Sequence, residues 1–135
     1  MILLMSRYID KDTLYYAGIR VDGTAVIKKK YKGTYYTMAQ KQIFAGSYVQ
    51  GEKINMLPHQ TWIGLRVENV RNADGSITIN LFMQKSGETT WKKLLEAKDD
   101  GRVFGGTPPI IEAGRAGVRT DFMDVSFESF RIEAL

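Results

Sequence analysis

The sequence predicts an all-β protein in which antiparallel strands form a sandwich or a barrel. Short runs rich in β-branched and aromatic residues recur along nearly the whole chain. Turn residues such as Asp22-Gly23 separate these runs at intervals of about 8 to 12 residues. No long segment repeats its apolar residues with the period of a helix. The pattern accounts for about nine short strands, a number typical of antiparallel sandwiches and barrels.

Two hairpins are predicted in the first half of the chain. Asp22-Gly23 and Lys32-Gly33 are short turn signals between β-rich runs, and such turns join antiparallel neighbours. Residues 44–60 show no regular period, so we expect a long loop there, and loops of that length often form the rim of a binding site. The strands predicted before this loop are residues 2–9, 14–21, 24–31 and 34–43.

The second half contains the clearest strand of the sequence. The apolar residues of 77–83 alternate with mostly polar ones, as expected for a strand that buries one face. Turn signals at 72–75 and 86–88 bound this strand, and the Gly- and Pro-containing stretch 98–113 is expected to be irregular. The strands predicted after the loop are residues 61–70, 76–84, 91–97, 116–120 and 122–132.

Composition narrows the classes of protein. The chain of 135 residues has the length of one ordinary domain, and we expect a single domain over residues 1–135. The absence of cysteine excludes disulfides, a thiol nucleophile and Cys-based zinc sites. The one histidine, His59, lies in the predicted loop without a second His, so a zinc site of the usual kind is not expected. No apolar run approaches the roughly 18 residues that a membrane-spanning helix needs.

The chain carries a modest positive charge. A net charge of +4 permits an acidic polymer or a nucleic acid as partner without requiring one. The densest cluster is Lys28-Lys29-Lys30-Tyr31-Lys32, which has two interpretations. It is either a contact for a polyanion or the end of a hairpin that lysines keep soluble and protect at its edge. The turn signal Lys32-Gly33 favours the hairpin end.

One pattern occurs three times: a small or apolar residue, Gly, an aliphatic residue and Arg, at 17–20, 63–66 and 116–119. Residues two apart in a strand share a face, so each Gly points the same way as its Arg. The same face would carry Tyr16, Trp62 and Arg115. If the strands share a sheet, bare backbone beside rings and guanidinium groups would admit a flat polar ligand. The alternative is that the glycines mark bulges or tight packing and the arginines are merely solvated.

Carboxylates near the predicted closing strand allow two kinds of chemistry. Asp124 and Glu128 are evenly spaced and would share a strand face, as the two catalytic carboxylates of β-sandwich glycanases commonly do, but that face also suits a solvated surface. Asp121 and Asp124 are candidates for a calcium site, since calcium takes carboxylate and carbonyl oxygens. Their alternative is that they are surface carboxylates beside a turn.

Four segments resemble the concanavalin A-like (laminin G-like) jelly-roll lectin and glucanase superfamily: residues 15–28, 62–68, 99–106 and 116–125. The resemblance implies an antiparallel jelly-roll sandwich of about nine strands. It also implies that the strands that usually precede residues 2–9 are missing, which would leave a sheet edge open to another copy. The resemblance implies an extracellular location, although residues 1–5 are too short to be the core of a signal peptide.

The resemblance implies a function as well as a fold. It implies a concave sheet that binds a polysaccharide, with a structural calcium at the rim for which Asp121 and Asp124 are the candidates. The superfamily's catalytic pattern Glu-x-Asp-x-Glu is absent from the sequence, so no catalytic residues are assigned. The residues expected to contact the sugar, by stacking or by forked hydrogen bonds, are Tyr16, Arg20, Trp62, Arg66 and Arg119.

The sequence therefore favours a non-catalytic carbohydrate-binding module, for which the excess positive charge would suit an acidic polysaccharide. One alternative is a structural protein that assembles into oligomers through an exposed sheet edge. Another is a polysaccharide lyase or hydrolase, whose turnover would depend on Asp124 or Glu128. A nucleic-acid binder is the least favoured, and its binding would fall steeply with salt.

Overall fold

The computed structural model describes residues 1–49, 51–52 and 55–135. These residues form eight β-strands and no helix, which confirms the predicted all-β class. Within the described ranges there is thus no helix with the length and apolar character needed to cross a membrane. The strands are β1 (Ile2–Asp10), β2 (Thr13–Ile19), β3 (Thr24–Tyr31), β4 (Thr34–Gln42), β5 (Ile63–Arg71), β6 (Ile77–Lys85), β7 (Lys92–Asp99) and β8 (Arg115–Thr120).

The strands form two antiparallel sheets. One has five strands in the order β4-β3-β2-β1-β8, and the other has three in the order β5-β6-β7. The sheets share one core, because alternate residues of β2 and β3 pack against those of β6 and β7, in the manner of a β-sandwich. The fully buried members of this core are Tyr15, Ala17, Ala25, Ile27, Ile77, Ile79 and Leu81.

Local turn chemistry sets the register of the predicted hairpins. Lys32 and Gly33 both have positive φ, 47° and 85°, as a two-residue hairpin turn of type I′ requires. Because this turn holds Tyr31 opposite Thr34, the next outward pair is Lys30 opposite Tyr35. The Asp22-Gly23 signal likewise forms the turn between β2 and β3, where the Gly23 amide donates to the carbonyl of Arg20.

The five-stranded sheet is apolar on both faces at its centre. Its outer face, turned away from the three-stranded sheet, buries Leu3, Leu14, Tyr16 and Val26 under partly exposed neighbours such as Met5. This second layer accounts for the apolar composition of β1 and β2.

The predicted strand at residues 122–132 is wrong, since this segment belongs to neither sheet. Phe122, at 89% exposure, takes a left-handed φ of 59° that turns the chain away from the direction of β8. Met123 packs against the buried cluster of Ile19, Leu57 and Met83, but the described residues beyond it pair with no strand. A segment with alternating polarity forms a strand only where a neighbouring strand can pair with it. The described residues therefore form eight strands and not about nine.

Candidate functional site

The three Gly-Arg strands do not share one sheet. Residues 17–20 belong to β2 or directly follow it, and residues 116–119 belong to β8, so both lie in the five-stranded sheet. Residues 63–66 begin β5 in the other sheet. Tyr16, Arg20 and Arg119 are therefore on the five-stranded sheet, whereas Trp62 and Arg66 are on the opposite side of the sandwich. The single face expected for all five residues is not formed.

The glycines of the three strands do not expose their backbone to a ligand either. A Cβ on Gly64 would lie 2.9 Å from the Trp91 ring, and one on Gly117 would lie 3.2 Å from the methyl group of Met5. A Cβ on Gly18 would collide with the backbone of the neighbouring strand at Ile2. The missing side chains thus make room for other parts of the chain, which is the packing interpretation of a strand glycine.

The outer face of the five-stranded sheet gathers cations around an aromatic centre. We call this surface the cationic face and define it by Tyr16, Lys28, Lys30, Tyr35, Arg115 and Arg119, together with Arg20 directly after β2. Cross-strand pairing places Lys28 beside Tyr16, and Tyr35 beside Lys30. The alternation of β8 places Arg115 and Arg119 on one face of its strand, at the opposite edge of the sheet.

Tyr35 is the most accessible aromatic residue of the cationic face, at 51% exposure. Its ring meets the edge of the Tyr16 ring, with centroids 6.4 Å apart, and the Lys30 ammonium lies 4.8 Å from its centroid. The pKa of the Tyr35 hydroxyl is lowered, mainly by hydrogen bonding with Lys30 and further by Arg119. The ring therefore presents a stacking surface whose hydroxyl is surrounded by positive charge.

Arg119 adds to the positive charge that acts on the Tyr35 hydroxyl. Arg119 lies on β8 and Tyr35 on β4, the two edges of the sheet, which are about 19 Å apart at the usual strand spacing. Burial lowers the pKa of Arg119, yet hydrogen bonding with Tyr35 and Asp121 outweighs it and leaves that pKa raised. Residues from both edges of the sheet thus act on the charge state of Tyr35.

Charge on the cationic face is only partly neutralised. Three of its cations form ion pairs: Lys30 with Asp12 at 2.8 Å, Arg20 with Asp22 at 2.9 Å, and Arg119 with Asp121 at 3.0 Å. Lys28 and Arg115 have no carboxylate within 4.0 Å among the residues that the structure describes.

The cationic face borders an open depression of about 370 Å³. Arg115, Arg119, Met5 and Tyr8 are among the residues that line it. Its lining therefore combines apolar side chains with two guanidinium groups, a combination that suits an anionic ligand with apolar parts.

Tyr16 forms the floor of the cationic face beneath Tyr35. Burial is the main cause that raises the pKa of Tyr16 to about 12. The Tyr16 hydroxyl therefore stays protonated at neutral pH and can donate a hydrogen bond.

The predicted calcium ligands do not make up a donor set. Asp121 is engaged by Arg119, and Asp124 is exposed beyond β8. Nowhere in the described ranges do three or more His, Cys, Asp or Glu side chains group as metal ligands. Asp124 and Glu128 both lie in the segment that is not a strand, so the shared strand face expected for a catalytic pair is not formed either.

A buried polar network lies between the sheets. Lys29 and Asp99 are fully buried and form an ion pair of 2.6 Å, and Tyr15 donates to the same Asp99 oxygen at 2.5 Å. The Lys29 ammonium also donates to the carbonyls of Thr107 and Pro108. All three of its donors are thus used, so the network is saturated and anchors the segment after β7 without leaving a group for a ligand.

Sequence reasoning missed Tyr35 and Lys30 as partners at the site. The signal was present, because the Lys32-Gly33 turn alone fixes Lys30 opposite Tyr35. Reasoning from the sequence also treated Lys28, Lys29 and Lys30 as one exposed cluster. Period-two alternation instead sends Lys29 into the core and its two neighbours to the outer face.

Fold and geometry define the class as an all-β protein of two antiparallel sheets with a cationic outer face on the five-stranded sheet. Comparison with protein-family models, with curated proteins and with solved structures finds no match to the chain.

Proposed function

We propose that the chain is a non-catalytic carbohydrate-binding module that holds an acidic polysaccharide on the cationic face. The observation that carries this proposal is the half-exposed ring of Tyr35, which has the Lys30 ammonium 4.8 Å from its centroid and shares its sheet face with Arg119. A tyrosine ring stacks on the apolar face of a sugar, while guanidinium and ammonium groups bind a uronate carboxylate. In this proposal the sandwich is a jelly roll of the concanavalin A-like superfamily.

The arrangement of charge supports an acidic rather than a neutral ligand. Lys28 and Arg115 have no carboxylate partner in the described part of the chain, so an anion would gain interactions that water alone now provides. The ion-paired cations Arg119 and Lys30 would orient the sugar, since their own carboxylates hold them in place.

The proposal is tested by affinity electrophoresis in gels that contain polygalacturonate, alginate or a neutral polysaccharide. We expect the wild-type protein to be retarded by an acidic polymer, and we expect Tyr35→Ala and Arg119→Ala each to weaken that binding about tenfold or more. Phe122→Ala is the matched control, because it removes an exposed ring outside the cationic face. Acidic-polymer binding that survives both face variants unchanged would refute the site.

A second candidate function is self-assembly at the β8 edge of the five-stranded sheet. The observations that favour it are the edge position of β8 and the exposed apolar side chains of Phe127, Phe130 and Ile132 in the segment that follows it. Light scattering coupled to size exclusion decides this candidate. A monomer at all concentrations would exclude it, and a stable dimer would favour it.

A further inference from the structure

A second aromatic surface lies on the outer face of the three-stranded sheet. Trp62 directly precedes β5, and Gly64 and Arg66 follow it on the same face. Phe82 on β6 pairs with Arg66 on β5, and Trp91 directly precedes β7. We call these five residues the tryptophan face. It lies across the sandwich from the cationic face, so the two surfaces are separate.

The Trp91 ring is held in a fixed position. It occupies the space that a side chain at position 64 would fill, since a Cβ there would lie 2.9 Å from Cη2 and 3.4 Å from Cζ3 of the indole. The Arg66 guanidinium lies 5.1 Å from the Trp91 ring centroid and 4.3 Å from that of Phe82. Backbone below and a stacked cation beside it restrain a ring that is still 37% exposed. Trp62 adds a second indole at 52% exposure.

Charge on this side of the sandwich is balanced. Arg66 pairs with Glu68 at 3.3 Å, and Lys93 pairs with Glu96 at 2.7 Å. An acidic ligand would therefore meet Glu68 and Glu96 beside each cation, in contrast to the cationic face. The balanced charges leave both donors and acceptors at the rim of the rings, which is what sugar hydroxyls need.

One polar group on this face lacks a partner. Asn80 lies between Glu68 and Glu96 in the cross-strand row next to Phe82, and it is 9% exposed. Its amide oxygen accepts no hydrogen bond within the described residues. A sugar hydroxyl that reached this oxygen would satisfy it.

We propose that the tryptophan face binds a neutral polysaccharide, by stacking a pyranose ring on Trp91 and Trp62 while Arg66, Glu68 and Asn80 hydrogen-bond its hydroxyls. The observations favour a sugar over a second copy of the chain. Pairing of two copies through this face would desolvate Lys93 and Glu96, whose side chains are 47% and 57% exposed. A sugar covers the rings and leaves these charges in water.

The proposal does not depend on the acidic ligand of the cationic face, and one set of variants separates the two. Binding is measured by affinity electrophoresis in hydroxyethylcellulose and in galactomannan, with polygalacturonate as the acidic probe. We expect Trp91→Ala to weaken neutral-polymer binding about tenfold or more while binding to polygalacturonate is kept. Tyr35→Ala should show the reverse pattern, and Phe122→Ala should change neither.

Two milder variants keep the test decisive if Trp91→Ala unfolds. Trp91→Tyr retains a stacking ring and should keep most of the neutral binding. Gly64→Ala places a methyl group against the indole and should weaken it. No retardation of the wild type by either neutral polymer would overturn the proposal, as would Trp91→Ala binding like the wild type. A wild-type dimer that Trp91→Ala converts to monomer would show instead that this face is an interface between copies.

Discussion

The buried ion pair gives a sharp test of the physics of this fold. Lys29→Met replaces the ammonium by an apolar side chain of similar length. It removes a 2.6 Å ion pair with Asp99 and the bonds of 3.0 and 2.8 Å to the carbonyls of Thr107 and Pro108. Asp99 then keeps Tyr15 and the Gly101 amide as donors but has no cation near it in a site with no exposure.

The expected loss of stability in Lys29→Met follows from leaving the buried Asp99 charge without its partner. Removing one member of a fully buried pair costs about 3–5 kcal/mol, against a total stability of about 5–15 kcal/mol for an ordinary domain. With a urea m-value of about 2 kcal/mol/M, the unfolding midpoint should fall by about 1.5–2.5 M. Urea titration followed by tryptophan fluorescence measures this shift.

The double variant Lys29→Met/Asp99→Leu is the matched comparison. It removes both charges at once, and a well-packed apolar replacement of a buried pair is often neutral or stabilising. We therefore expect the double variant to recover most of the stability that Lys29→Met loses. The reasoning is refuted if Lys29→Met costs less than about 1 kcal/mol, or if the double variant is no more stable than the single one.

Further predictions concern alkaline pH, turns and salt. Burial raises the pKa of Tyr15 above its usual value and that of Tyr16 to about 12, so both stay protonated in the folded protein at pH values where the unfolded chain ionises. Their contribution to the free energy of unfolding is complete below pH 10, and each group loses about 1.4 kcal/mol of it per pH unit above pH 10. The urea midpoints at pH 9 and pH 11 should therefore differ less in Tyr15→Phe than in the wild type. Gly23→Ala should destabilise more than Gly75→Ala in thermal unfolding, because both have positive φ but a Cβ at position 23 would meet the Phe44 carbonyl oxygen, whereas position 75 is open; equal costs would contradict the packing at position 23. Binding to polygalacturonate should weaken as salt rises from low to physiological strength, since exposed charges are screened over about 8 Å, and salt-independent binding would argue against the cationic face.

Local features of the fold were predictable from the sequence. The turns at Asp22-Gly23 and Lys32-Gly33 and the alternation of residues 77–83 each depend on neighbours in the chain, and each lies where it was expected. The segment 122–132 shows the limit of this reasoning. Its alternation is as regular as that of a strand, but a strand also needs an adjacent partner, and which partner is available depends on the whole topology.

The candidate site was harder to predict for the same reason. A repeated Gly-Arg pattern shows which residues share a face of one strand, but it does not show which strands share a sheet. Tyr16 and Arg119 therefore both lie on the cationic face, whereas Arg66 lies across the sandwich. The burial of Lys29 was hidden by its charge, because the acceptors that satisfy it come from Asp99 and from a loop more than seventy residues away in sequence.

The buried network links the cationic face to the cooperativity of the fold. Lys29 and Tyr15 hold the stretch from Asp99 to Ile110, and that stretch leads directly into β8, which lies at a sheet edge. A protein opens in cooperative units whose free energies lie below that of global unfolding, and an edge strand with its connecting loop is such a unit. Residues 100–120 should therefore exchange their amide hydrogens together, at a rate governed by the core rather than by solvent exposure. Each such opening would move Arg115 and Arg119 out of the cationic face, so weakening the buried ion pair of Lys29 and Asp99 should also shorten the time for which this face stays assembled.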